Sequence, residues 1–413
     1  MKTTAIISEF NPFHKGHEYI VTKAREITSA DYVIALMSGD YVQRGECAII
    51  DKYERADYAL SLGFDAVIEL PAYYCTSAAD RFALGAVSIL NHLGSIDYLA
   101  FGSETNDIEH LTKIASEQLK ESFLNNVRIK DSLQNGTAFS VSTLDPFGEV
   151  VSSNDILAVS YIKALLSTNS SIKPVCIERI NGNYNDTSAG SWSARSIRES
   201  INEVVNSRDR NYAPDFRLDD RAFSIIPDSI RSPFGDYLRK YGPLTNNAFS
   251  LQLYTLIQTY ISSGTDLTRF LDVSSALSGK IIRNINSFTL MNDFALALKS
   301  KDMTLSRVRR GLLHILLSIT DEKLETAQQY DNAPYARLLG FRKSSGDCLS
   351  ILKKRTDIPL ISKCADARNQ LSSERYECFN CDIDAANMYW HTIACKQNVP
   401  FTHEFQKGPV IKP

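Results

Sequence analysis

The sequence has no apolar run approaching the roughly 18 residues that a membrane-spanning helix requires. Its first residues, MKTTAIISEFNPFHKGH, turn polar after a handful of apolar positions, so neither a secretory signal nor a membrane anchor is expected there. Cysteine is sparse and scattered, with eight thiols, at 47, 75, 176, 348, 364, 378, 381 and 395, in 413 residues. A chain of that length builds a core without crosslinks, so reduced thiols and a cytoplasmic location are the expectation. Internal repeats and low-complexity tracts are missing too. A strong net charge is also lacking, since 45 Lys and Arg stand against 48 Asp and Glu. That balance excludes a chain that is basic throughout, as a strongly basic nucleic-acid binder would be. What remains is an ordinary globular composition, 44% hydrophobic and 23% charged, of a length that suits two domains.

The balance of charge is uneven along the chain. Residues 301–413 carry 17 Lys and Arg against 13 Asp and Glu, whereas residues 1–300 carry 28 against 35. The basic residues of the last part cluster at Arg307, Arg309 and Arg310, at Arg342 and Lys343, and at Lys353, Lys354 and Arg355. A solvated helix face explains any one cluster; three in one region point to a surface that contacts a phosphate backbone.

Apolar runs and amphipathic stretches alternate over the first two hundred residues. Thr3–Ser8, Tyr32–Met37, Ala66–Leu70, Tyr98–Phe101 and Pro174–Ile177 read as buried strands. Between them, His17–Ile27, Tyr53–Leu62, Ala78–Leu93 and Ile156–Leu166 read as helices. This order predicts an α/β fold with a parallel sheet covered on both faces, and a ligand crevice beyond the carboxyl ends of the strands. Beyond about residue 215 long helical stretches dominate, including Ala248–Ser262 and Leu305–Ile319. A catalytic domain over residues 1–214 and a mostly helical C-terminal domain over residues 215–413 are therefore expected, with the boundary in Tyr212–Asp219. Asp357–Ser362 is a further candidate strand, and Pro400–Pro413 reads as a tail without helix.

The sharpest local signal is Asn11-Pro12-Phe13-His14-Lys15-Gly16-His17, directly after the first strand and at the start of the first helix. Free N–H groups at a helix start form an anion site, and a glycine lets a phosphate approach the backbone. The helix dipole alone contributes about 0.3–1 kcal/mol at an exposed site, so imidazole donors must supply much of the rest. His-x-Gly-His in this context resembles the signature of the nucleotidylyltransferase superfamily, which attacks the α-phosphate of a nucleoside triphosphate and expels pyrophosphate. The loop after the second strand, Met37-Ser38-Gly39-Asp40-Tyr41-Val42-Gln43-Arg44-Gly45-Glu46, offers glycines, a carboxylate, an amide and a guanidinium suited to a small carboxylate or a phosphate. Gly102, after the fourth strand, lets a base or ribose lie against the backbone. Asp51 to Arg55 reads as a capped helix start with ordinary helix-face charges, and Asn154 as a helix N-cap. Arg198, in SARSIRE, matches the helix start with which nucleotidylyltransferases hold triphosphate oxygens.

Taken together, EFNPFHKGH, MSGDYVQRGE, DKYERADYAL, AVIELP, AADRF and FGSE, followed by NDILAVSYIKAL, ERINGNYND, SARSIRE, IPLIS and DIDAANMY, resemble the tRNA(Met) cytidine acetate ligase family. The resemblance is dense over the first hundred residues and thins beyond them. It implies a Rossmann-like parallel sheet of the nucleotidylyltransferase type, and an enzyme that uses ATP and acetate to form acetyl-adenylate. The acetyl group then passes to N4 of the wobble cytidine of elongator tRNA(Met), without acetyl-coenzyme A. The resemblance implies ATP contacts at Ile7, Ser8, Glu9, Phe10, Asn11, Pro12, Phe13, His14, Lys15, Gly16, His17, Glu18, Tyr19, Ile20, Gly102, Asn154 and Arg179. On this reading His14 and His17 stabilise charge at the α-phosphate, Arg198 grips pyrophosphate, and Mg²⁺ neutralises the phosphates. Asp40, Gln43 and Arg44 then line the acyl and cytidine end. The chain departs from the family pattern at Phe10, Lys15, Cys47, Ser153 and Asn185, and at the last of these an expected His is absent, so no proton transfer is assigned there.

Cys378-x2-Cys381-x9-His391-x3-Cys395 has ligand types that suit zinc, but its spacing fits no common finger, so free thiols are expected. Two alternatives share the same motifs. One is a small-molecule nucleotidylyltransferase, which needs no RNA surface; the other is a non-catalytic nucleotide-sensing or RNA-binding protein, against which His14, His17 and Arg198 argue.

Overall fold

The computed structural model describes residues 1–129, 152–179, 193–207 and 218–413. Most of the expected boundary segment and Asn185 lie outside them. The first part of the chain runs β1 (Thr3–Ser8), α1 (Lys15–Thr28), β2 (Tyr32–Ser38), β3 (Tyr41–Val42), β4 (Glu46–Cys47), α2 (Lys52–Ser61), β5 (Ala66–Leu70), α3 (Ala72–Cys75), α4 (Ala79–His92) and β6 (Tyr98–Ser103). It continues through α5 (Ile108–Ile129), α6 (Ser153–Ser167), β7 (Lys173–Glu178) and α7 (Ala194–Ser207). Seven further helices follow, namely α8 (Asp220–Ser224), α9 (Asp228–Tyr241), α10 (Ser250–Ser262), α11 (Ser275–Asn284), α12 (Met291–Leu298), α13 (Leu305–Leu316) and α14 (Asp321–Gln328). The last part comprises β8 (Ala336–Arg342), α15 (Gly346–Arg355), β9 (Leu360–Ile361), α16 (Ala367–Gln370), α17 (Ser373–Gln397) and β10 (Val410–Lys412).

The main sheet has the order β10-β8-β5-β2-β1-β6-β7, with β9 paired to β8. Strands β5 to β7 in that order are parallel, and β8 joins antiparallel to β5. The chain steps outward from β1 through β2 to β5, then crosses to the other side of β1 as β6. The switch point thus falls between β1 and β6, where a crevice opens beyond the strand ends. Period-two alternation explains the two cores. Ile34, Leu36 and Ile68 pack on one face, and Val33, Ala35, Met37 and Val67 on the other.

The five strands predicted for the first two hundred residues are all present, and the helical character of residues 220–330 is as expected. The last eighty residues, however, also return to the sheet. Strand β9 falls in the expected segment, whereas ARLLGFR at β8 gave no clear strand signal because charged residues bound it. Its Arg337 is buried because carboxylates await it there. The guanidinium lies 2.9 Å from Glu69 and 2.7 Å from Glu404, and Lys52 lies 2.7 and 2.8 Å from the same two carboxylates. The Tyr53 hydroxyl donates to Glu404 at 3.0 Å.

This corrects the reading of Asp51 to Arg55 as ordinary helix-face charges. Asp51 does cap α2, accepting from the Tyr53 and Glu54 N–H groups, but Lys52 and Arg55 point inward and are fully buried. A two-plus-two cluster of buried ions tolerates no loss of a member, because the remaining charge is stranded away from water. Arg337→Met is expected to lower unfolding free energy by about 3–5 kcal/mol. Denaturant unfolding at neutral pH measures this, and a change below about 0.5 kcal/mol, the range of an ordinary surface substitution, would contradict it.

Candidate active site

The site begins at the start of α1. His14 is the N-cap, in extended conformation, and its Nδ1 accepts from the Gly16 N–H at 3.0 Å. The His17 Nδ1 in turn accepts from the His14 N–H at 3.2 Å. Both rings therefore serve as helix caps through Nδ1, which leaves the proton of each neutral imidazole on Nε2. The two ring centroids are 3.9 Å apart. Phe10 supports them from a left-handed backbone conformation (φ 48), with its ring stacked on Phe13 at 4.0 Å and edge-on to His17.

Burial lowers both imidazoles toward the neutral form, helped at His14 by the nearby Arg179 and Arg198 and at His17 by His14 and Arg179. His14 is lowered to about 3, and His17 lies well below its ordinary value. Arg198, from α7, donates to the Asn11 carbonyl at 2.7 Å, and its Nε lies 3.7 Å from Glu46. Arg179 follows β7 and lies 3.7 Å from Glu104, which also accepts from Ser152 and Asn154. The Gly102 Cα faces these groups so closely that a Cβ would lie 3.2 Å from both Arg179 and Ile20. Glu9 accepts from the Gln43 N–H at 2.9 Å, and burial raises its carboxyl.

These groups enclose a cavity of about 310 Å³ at the strand ends. Of the residues expected at the site, Ile7, Ser8, Glu9, Phe10, Asn11, His14, His17, Ile20, Gln43, Arg44, Gly102, Asn154, Arg179 and Arg198 line it. Pro12, Phe13, Lys15, Gly16, Glu18 and Tyr19 do not. Phe13 is wholly buried behind Phe10, Lys15 faces Asp228 at 4.0 Å, and Glu18 is exposed on α1.

Two expectations need correction. Asp40 is buried away from the cavity, where its Oδ1 accepts from the Lys52 N–H at 2.8 Å; burial raises its carboxyl to about 7. It ties the second loop to the start of α2 and does not line the cavity. Asn154 is not the N-cap of α6. Ser152 is, and Asn154 sits within the first turn, where its amide donates to Glu104.

Sequence reasoning missed the apolar wall of Phe64, Phe82, Phe101, Leu157 and Tyr161, along with Ser193 and Arg195. Phe82, Phe101, Leu157, Tyr161, Ser193 and Arg195 lie within motifs already singled out, and Phe64 does not. Within their motif, the apolar helical pattern of Leu157 and Tyr161 reads as core and does not mark them as facing a cavity.

The basic clusters are partly spent inside the protein. Arg309 pairs with Glu46, and Arg310 lies 2.7 Å from Asp272. Cys378, Cys381, His391 and Cys395 all lie on α17. The helix rise separates Cys381 from Cys395 by about 21 Å. Among the described residues no group of three or more metal-ligating side chains is present, and no helix is long and apolar enough to cross a membrane.

A parallel sheet with an imidazole-capped helix at its switch point, flanked by arginines, defines a nucleotidylyltransferase. Residues 1–403 match the HIGH Nucleotidyl Transferase family. The tRNA(Met) cytidine acetate ligase of Caldanaerobacter subterraneus subsp. tengcongensis is 37% identical, with both chains covered in full. That of Thermoanaerobacter sp. (strain X514) is 35% identical over 96% of each chain. The crystal structure of Thermotoga maritima TmcAL bound with alpha-thio ATP superimposes with a TM-score of 0.85 at 27% identity, covering both chains in full. The chain belongs to the tRNA(Met) cytidine acetate ligase family, and it is an enzyme.

The neutral His14 has a consequence for stability. Its folded value, about 3, lies below the unfolded value of 6.5. Below pH 6.5 the unfolded chain takes up a proton that the folded protein refuses, so this contribution to stability is lost as pH falls, by up to about 1.4 kcal/mol per pH unit. His14→Gln is expected to remove that slope. Denaturant unfolding of both proteins between pH 7.5 and 5 tests it, and parallel pH dependences would show that His14 titrates normally.

Proposed function

We propose that this protein ligates acetate to N4 of the wobble cytidine of elongator tRNA(Met) at the expense of ATP. The observation that carries the reading is the capping arrangement of His14 and His17 at the β1–β6 switch point, with Arg179 and Arg198 facing the same cavity. In the first step an acetate oxygen attacks the α-phosphorus, the bond to the β-phosphate oxygen breaks, and pyrophosphate leaves. The two Nε2–H groups donate to the non-bridging oxygens as charge builds on them, and Arg198 holds the departing pyrophosphate. In the second step the exocyclic amine attacks the acetyl carbonyl, the bond to the phosphate oxygen breaks, AMP leaves, and the nitrogen gives up a proton. An exocyclic cytosine amine is a weak nucleophile and free acetate a poor acyl donor, so activation as the mixed anhydride is the chemically necessary preliminary. No acetyl-coenzyme A is needed.

Gln43 and Arg44, with the apolar wall, form the acyl and cytidine end, and Asn154, Gly102 and Arg179 the nucleoside end. A magnesium ion would neutralise charge on the nucleotide phosphates and would be bound through them and water rather than by protein side chains, as suits a cation that keeps its hydration shell. Among the described residues, the carboxylates around the cavity are engaged with protein groups and make no cage for it. Residues 1–214 form the catalytic part in this reading, with β8 and β10 built into its sheet. Residues 215–413 provide the tRNA-binding region, including the exposed Lys353, Lys354 and Arg355 at the end of α15. The reaction belongs in the cytoplasm, where tRNA and ATP are found together.

Incubation with ATP, acetate and tRNA(Met), followed by mass spectrometry of the wobble cytidine, is expected to show a gain of one acetyl group. An unmodified base on a competent tRNA would refute the reading; a nucleotidylylated small molecule would support a different transferase. His17→Ala is expected to slow acetate-dependent ATP–pyrophosphate exchange by about 10²–10³-fold, the usual cost of losing one preorganised donor.

A further inference from the structure

Strands β3 and β4 form the hairpin that carries Gln43 and Arg44 to the cavity, and the helical region fixes its far side. Gly45 (φ 73) lies so close to α13 that a Cβ there would fall 2.4 Å from the Arg310 nitrogen. Asn246 accepts from the Cys47 N–H at 2.8 Å and donates to the Gly45 carbonyl at 2.9 Å. Between these two attachments stands Glu46. Its Oε1 accepts from the Arg309 Nη1, and its Oε2 lies 3.7 Å from the Arg198 Nε.

Among the described residues, Glu9 lines a cavity that must accept a polyanion, and Glu46 and Glu104 sit against the arginines that line it; each opposes that anion unless its charge is met. Glu104 is met by Ser152, Asn154 and Arg179. Glu9 accepts from the Gln43 N–H, and its burial favours the neutral acid. Glu46 has two cationic partners among the described residues, Arg309 and Arg198, and the first holds the closer contact. With Arg309 removed, Arg198 would be left to neutralise Glu46 and would turn from the cavity toward it.

We propose that Arg309 is a positioning residue for the nucleotide site, which neutralises Glu46 and thereby keeps the Arg198 guanidinium available to the phosphates of ATP. The inference rests on the reading of the cavity as an ATP site. It gives α13, in the helical region, a direct electrostatic hold on the chemistry of the sheet.

Calorimetric titration of the full chain with α,β-methylene ATP tests it. Arg309→Gln is expected to bind the analogue about ten-fold more weakly, as loss of one partly buried charge contact predicts. The double variant Glu46→Gln/Arg309→Gln is expected to return to within about two-fold of the wild type, since no carboxylate then competes for Arg198. Arg309→Lys, which keeps the charge, is expected to stay close to the wild type. A structural contact of α13 alone would leave the double variant as weak as the single one. That result, or undiminished affinity in Arg309→Gln, overturns the proposal. A wild-type protein that does not bind the analogue overturns the ATP reading itself and this inference with it.

Discussion

The Arg55 guanidinium is wholly buried and donates to main-chain carbonyls of Glu9, Ser38, Gly39 and Ile50, with Asp40 at 4.0 Å. Glu9 follows β1, and Ser38 and Gly39 end β2 and begin its loop. One rigid, five-donor group thus binds together the two loops that carry the imidazoles and the Gln43–Arg44 hairpin. Loops otherwise move relative to one another, and a cavity formed between loops keeps its shape only when something stiffer than a surface contact joins them. The carbonyls would be left without partners if this side chain were lost, in a place water does not reach. The geometry of the whole site therefore depends on a residue that touches none of the cavity.

Around that anchor the site separates charge from hydrogen bonding. Arg179 and Arg198 supply positive charge, while His14 and His17 supply neutral N–H donors whose orientation is set by their capping bonds to the backbone. Protonated imidazoles at a ring separation of 3.9 Å would repel each other and both arginines. Their neutrality follows from burial among cations, and it leaves two donors whose presentation costs little reorganisation when an anion arrives. The carboxylates near them are each matched to a partner, so that the net field of the cavity remains one that attracts phosphate.

Local pattern made much of this legible. Alternation of apolar residues located β1, β2, β5, β6 and β7, and the succession of strand and helix placed the crevice at their carboxyl ends. His14, His17, Gln43, Arg44 and Arg198 were recognisable because loop chemistry after a strand is written in contiguous residues. Asp40 looked like its neighbours in that loop, yet its carboxylate turned inward to a backbone N–H of α2. Lys52 and Arg55 looked like surface charges, because no spacing rule announces carboxylates that arrive from residues 69 and 404 for the first, or main-chain carbonyls of four other residues for the second. Strand β8 escaped notice for the same reason, since its charged residues made sense only beside partners distant in the sequence.

The sequence by itself determined β1, β2, β5, β6 and β7, the start of α1 and its anion-binding turn, all of which depend on residues within a few positions of one another and on the periodicity of side chains. Tertiary structure decided which charges are buried, which carboxylate meets which cation, and which part of the chain closes the sheet. It also joined the hairpin at Glu46 to α13, across more than 260 residues. The physical reason is that burial and pairing are properties of three-dimensional neighbourhoods. A charged side chain has the same local sequence signature in water and in a core, and only its partners distinguish the two.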